Sequence, residues 1–173
     1  TLLVLRHCED LGTKRQADRS RHCNDIGYQR ADYIATLFVA RNRTWPPPRR
    51  LYALLKGRNL RQIETLQPLS NATGVPITTI LFPGWRELRH LFFAELSNGR
   101  LCGHVAVAAW KHAYIGELIE QLGCQDCTDE AWDESEFDKI IQLTFQYQAD
   151  SLGRLYWRVQ STTTYEGFAS NLA

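Results

Sequence analysis

Arg6 and His7 stand side by side at the end of a short apolar run, Leu2-Leu3-Val4-Leu5, at the start of this 173-residue chain. A guanidinium beside an imidazole suits an anionic ligand and nucleophilic or acid–base chemistry. Two other places carry matching types. Lys111 and His112 follow the small, apolar run 104–110, and Arg61 follows the run 51–55 after the turn Lys56-Gly57-Arg58-Asn59. Two imidazoles and two guanidiniums fit phosphate best. A neutral His7 can attack phosphorus and carry the phosphoryl group, which splits one hard step into two easier ones. Arg6 and Arg61 can grip the equatorial oxygens as bidentate forks, and their charge lowers a neighbouring histidine pKa and keeps it neutral. A protonated His112 adds charge to the transferred group. Losing one such donor typically raises a barrier by about 2.7–4 kcal/mol. The scheme needs no metal or other cofactor, and the sequence offers no carboxylate cluster to hold one.

These four residues can meet only if parallel strands bring their carboxyl ends to one edge of a sheet. The spacing supports that. A first strand covers the opening run, and the polar, charged stretch 11–24 reads as a solvated loop near the mouth of the site. Asn24 or Asp25 caps a helix whose buried face is Ile26, Ala31, Ile34, Leu37 and Phe38. Trp45 and three prolines form a connector over 44–50. A strand at 51–55 precedes a helix carrying Leu60, Ile63, Leu66 and Leu69, closed by Asn71 and Gly74. A strand at 76–82, a helix opened by Gly84, a buried strand at 104–110 and a helix at 113–122 ended by Gly123 come next. The stretches 137–147 and 154–162 alternate with period two and pair as an antiparallel ribbon at a sheet edge. The reading is one α/β domain over residues 1–173: a three-layer α/β/α sandwich with a mostly parallel central sheet.

The motifs resemble those of the histidine phosphatase superfamily, with its phosphoglycerate-mutase-like fold. Arg6-His7-Cys8-Glu9 resembles the Arg-His-Gly-Glu signature. Asn24-x-x-Gly27-x-x-Arg30-Ala31 resembles the first helix, and Arg61-Gln-Ile-Glu-Thr65 the second arginine motif. Val105-Ala-Val-Ala-Ala-Trp-Lys-His112 resembles the strand that delivers the second histidine. These motifs occur in the family's order. The resemblance implies a metal-independent phosphatase of the short type, with His7 as phosphoacceptor and Arg6, Arg61 and His112 completing the phosphate pocket. Three positions depart from the pattern. Cys8 replaces glycine, Gly57 lies where serine is common, and no residue clearly matches the proton-donating carboxylate. Glu87 is the leading candidate for that acid, ahead of Glu95 and Glu9. The alternatives are a phosphomutase, or a phospho-ligand or protein-binding module that keeps the pocket without turnover.

The remaining features narrow the partners. A net charge of +1 supports no general attraction to nucleic acid or to a membrane surface, so the expected partner is a phosphorylated small molecule or a phosphoprotein. No run reaches the roughly 20 apolar residues that span a bilayer, and no signal peptide is visible. Five cysteines, an odd number, argue for a reducing compartment and a cytoplasmic setting. The acceptor tripeptides at Asn42 and Asn71 argue for secretion. His22, His90 and His104 read as surface or loop residues. Cys124-x-x-Cys127 has metal or redox spacing without a second ligand pair, and the acidic run 126–138 reads as a solvated loop.

Overall fold

The computed structural model describes residues 1–10, 21–124, 127, 132, 133 and 135–168. The expected solvated loop therefore lies outside the described residues except at its end, and so does part of the acidic run. Six strands form one mixed sheet: β1 (Leu2–Arg6), β2 (Arg50–Leu55), β3 (Ile77–Leu81), β4 (Ala106–Trp110), β5 (Lys139–Ala149) and β6 (Leu155–Tyr165). Four helices accompany them: α1 (Asp25–Val39), α2 (Arg61–Thr73), α3 (Trp85–Ser97) and α4 (Ile115–Gln121). The spatial order is β3-β2-β4-β1-β5-β6. β3, β2, β4 and β1 run parallel to their neighbours, whereas β5 is antiparallel to both β1 and β6.

Side chains of a strand alternate between faces, and β1 uses both for packing. Leu2 and Val4 join a core with Leu88 and Phe92 of α3 and Leu118 of α4. Leu3 and Leu5 join a second core with Ile34 and Phe38 of α1 and Leu66 and Leu69 of α2. All four β1 leucine and valine side chains are fully buried, and each such burial contributes about 1.5–3 kcal/mol. β1 and β4 are thus apolar on both faces, as strands covered on two sides must be.

Local chemistry sets the helix ends. The Asn24 side chain accepts from the backbone N–H of Gly27 at 2.8 Å and caps α1. Gly74 ends α2 in the left-handed region at φ 71°, where glycine alone is unstrained. The expected buried face of α1 needs one correction. Ile26 is exposed, and the stripe instead runs through Gly27, Arg30, Ala31, Ile34, Leu37 and Phe38. The first turn of α1 packs on the chain just after β1, so close that a Cβ on Gly27 would lie 2.6 Å from the Glu9 carbonyl oxygen. The predicted fourth helix is split: a 3₁₀ turn over His112–Tyr114 precedes α4. The edge ribbon is present, its first strand two residues further along than expected and its second running on to Tyr165. From Thr144 onward β5 has only β6 beside it among the described strands.

Candidate active site

The carboxyl ends of β1, β2 and β4 lie at one edge of the sheet, and the residues that follow them converge. His7 continues β1, its N–H bonded to the Trp110 carbonyl at the end of β4 at 3.0 Å. His112 opens the turn after β4, and its ring centroid lies 6.4 Å from that of His7. Arg61 is the first residue of α2 and one of the charged groups that act on His7. The four residues singled out from the sequence share one locality.

His7 is 2% exposed. Its Nδ1 lies 2.8 Å from the Cys8 carbonyl oxygen, which can only accept, so Nδ1 carries the proton. Nε2 is then a bare lone pair, buried and without a hydrogen-bond partner among the described residues. Burial lowers the His7 pKa to about 3, and the Arg61 charge adds to it, with smaller contributions from Arg6 and His112. The sequence argument credited the arginines alone. Loss of water is the larger cause.

The two guanidiniums are fixed by different means. Arg6 donates through Nη1 to the carbonyls of Asp133 and Glu136, at 3.1 and 3.0 Å, and lies 3.7 Å over the ring of Phe137. Arg61 donates through Nε to the Asn59 side chain at 2.9 Å and through Nη1 to the Asp10 carboxylate. Burial lowers the Arg61 pKa, and the Asp10 carboxylate opposes that shift. Thr65, one helical turn on, accepts from the Cys8 N–H at 2.8 Å and donates to the Arg61 carbonyl at 2.7 Å. That relay locks the loop after His7 to the first turn of α2.

Arg30 was legible only as part of a helix motif, and its work was not. Fully buried, it forms a bidentate pair with Glu166 through Nε at 2.8 Å and Nη2 at 2.5 Å. It also donates to the carbonyls of Phe137, His7 and Arg6, the last two at 3.4 Å. One side chain thereby holds the backbone of the Arg6-His7 pair, the segment over Arg6 and the chain after β6. Burial lifts the Glu166 carboxyl to about 7 against the opposing pull of Arg30.

No described contact joins His7 to any of the three carboxylates expected to supply an acid. Glu87 is exposed in the first turn of α3, and no described contact joins it to His7 or Arg61. Glu95 pairs with Arg50 and Arg100 at 2.8 and 3.2 Å, beside the start of β2, at the other end of the strand from the site. Glu9 lies 3.8 Å from Arg30. Asp10, which no motif marked, is the carboxylate on Arg61. His22, read as a surface residue, is bound at Nδ1 to Glu64 at 2.5 Å, beside the first turn of α2.

Cys8 is not a free thiol. It is joined to Cys23 across a Cα separation of 5.6 Å, and Cys124 is joined to Cys127. Cys102 is free and exposed. With four of five cysteines paired, the odd count no longer speaks for a reducing compartment. Among the described residues one metal-capable group occurs, Cys8, Cys23 and Glu64, and the disulfide withdraws both sulfurs as thiolate ligands.

No protein-family model matches the sequence, and no curated protein matches it. Among solved structures the chain is similar to the candidate phosphohistidine phosphatase SixA of Agrobacterium tumefaciens. Identity is 21%, over 69% of this chain and 73% of that one, with a TM-score of 0.43. It is also similar to the protein of the same description from Nakamurella multipartitia: 16% identity, 81% of each chain, TM-score 0.43. At that level of likeness neither substrate nor residue roles transfer.

Proposed function

We propose that this chain is a phosphatase of the histidine phosphatase type, acting on a phosphomonoester or phosphoprotein through a phosphorylated His7. One observation carries the reading. A buried imidazole is held as the Nδ1–H tautomer with its Nε2 lone pair unpartnered, among three cationic or ionisable neighbours. A buried, unsatisfied acceptor costs about 1–3 kcal/mol, and a nucleophile awaiting phosphorus accounts for that cost. In the first step Nε2 bonds to phosphorus while the ester oxygen departs and takes up a proton. In the second, water attacks phosphorus, the P–N bond breaks, and inorganic phosphate leaves. Arg6, Arg61 and His112 are assigned to the phosphoryl oxygens. The scheme calls on no metal. We read the fold as a phosphoglycerate-mutase-like three-layer sandwich, most of its strands parallel, and the 173 residues as one domain. The disulfides and the exposed Asn42 and Asn71 favour an oxidising compartment over the cytoplasm.

His7→Ala is expected to drop phenyl phosphate hydrolysis below detection with an unchanged circular dichroism spectrum. Acid-quenched protein treated with ³²P-labelled substrate is expected to carry label on His7 and nowhere in the variant. Wild-type turnover by His7→Ala would overturn the reading. A binding module is favoured by one observation: among the described residues no contact brings Glu87, Glu95 or Glu9 onto the His7 ring. It predicts saturable phosphate-ester binding with no release of inorganic phosphate.

A further inference from the structure

Beside His112 the same sheet edge carries two lysines that no carboxylate neutralises among the described residues. Lys56 follows β2, Lys111 follows β4, and Phe82 follows β3, its N–H bonded to the Leu55 carbonyl at 2.9 Å. The Lys56 ammonium lies 3.8 Å from the centre of the Phe82 ring and 5.3 Å from that of Tyr114, and it donates to the Tyr114 hydroxyl at 3.2 Å. The Lys111 ammonium lies 5.3 Å from the same Tyr114 ring. Phe82 and Tyr114 pack against each other at 5.0 Å. Neither lysine has an ion-pair partner among the described residues.

Two like charges gathered on one ring repel, and each cation–π contact returns only about 0.5–1 kcal/mol at an exposed site. The rings also take from each ammonium the freedom by which a surface lysine escapes such repulsion. An anion between them removes the repulsion and gains two charge-assisted hydrogen bonds. Tyr114 ends the 3₁₀ turn that His112 begins, so the ring both lysines approach is two residues from the second histidine of the pocket. Phe82, still partly exposed, offers an apolar surface to whatever spans the gap.

We propose that Lys56 and Lys111, framed by Tyr114 and Phe82, form a second anion subsite, and that the preferred substrates are small phosphomonoesters bearing a second phosphate or carboxylate. The proposal rests on the phosphatase reading for the word substrate, and on the lysine pair alone for the subsite.

Pentyl phosphate and pentane-1,5-diyl bisphosphate share a leaving group and differ in the second charge. The bisphosphate is expected to show a KM about tenfold lower, well beyond the twofold from its two equivalent ends. In K56Q/K111Q the difference should shrink to about twofold, and K56R/K111R should restore most of it. Equal KM values in the wild type, or a preference that survives K56Q/K111Q, would overturn the subsite. If neither compound is hydrolysed, phenyl phosphate decides the phosphatase reading by itself: its turnover keeps that reading, and its persistence overturns it. Calorimetric binding of the same two compounds then decides the subsite, with the same tenfold difference expected and its absence counting against it.

Discussion

A histidine with a pKa of about 3 is uncharged across the whole physiological range, and His7 reaches that state first by losing water and only then by facing arginine. The cause has a measurable consequence. The folded pKa lies below the ordinary 6.5, so between those values the unfolded chain binds a proton that the folded chain does not. This group's contribution to stability is therefore complete above pH 6.5 and is lost as pH falls, by about 1.4 kcal/mol per pH unit until the folded pKa is reached. Denaturant unfolding at pH 7, 6, 5 and 4 is expected to show that slope, and His7→Gln should remove it. A slope unchanged in the variant would mean that His7 is solvated and charged in acid. That His7, Arg6, Arg61 and His112 would share one locality was readable from residue types at strand ends. The proton's place on Nδ1 was not, because it depends on a carbonyl oxygen whose direction no side-chain pattern records.

Helix α1 is joined to the site through its polar side as much as its apolar one. Arg30 and Glu166 are 136 residues apart and fully desolvated, and together they hold the carbonyls of Arg6 and His7. Breaking a buried pair by removing one partner typically costs 3–5 kcal/mol, because the other charge is left alone. Arg30→Ala and Glu166→Ala should each lower unfolding free energy by about that much in urea titrations, and R30M/E166L should recover most of it. Full stability in either single variant would show the pair to be solvated. This pairing also marks where sequence reading stops. Helical periodicity located α1 well, because apolar spacing is a local property, yet it placed Ile26 inward and left Arg30 without a task. A buried arginine is recognised only through its acceptor. Here the acceptors come from the end of β1, from Phe137 and from beyond β6. Asp10 on Arg61 was hidden for the same reason, since the two are 51 positions apart.

Across the molecule, the Cys8–Cys23 bond fastens the chain after β1 to the start of α1, where Asn24 also bonds the Glu9 carbonyl at 2.9 Å. Closing a loop with a sequence separation of 15 stabilises by about 3 kcal/mol through the entropy it removes from the unfolded chain. C8A/C23A is expected to lower stability by that amount and to slow turnover, C124A/C127A, closing a shorter loop, by about 2 kcal/mol, and reductant, which opens both, by more than either. A reductant shift below about 0.5 kcal/mol would show Cys8 and Cys23 to be unlinked in solution. The sheet order has a consequence for how such a chain is made. β1, with His7 at its end, is synthesised well before its two neighbours, β4 at residues 106–110 and β5 from residue 139 onward. A growing chain therefore holds β1 and His7 without their sheet neighbours until about a hundred further residues have emerged. Non-local pairing of that kind is slow and leaves apolar surface open to aggregation. The segment that carries Arg6 and His7 is then among the last to find its place in the sheet.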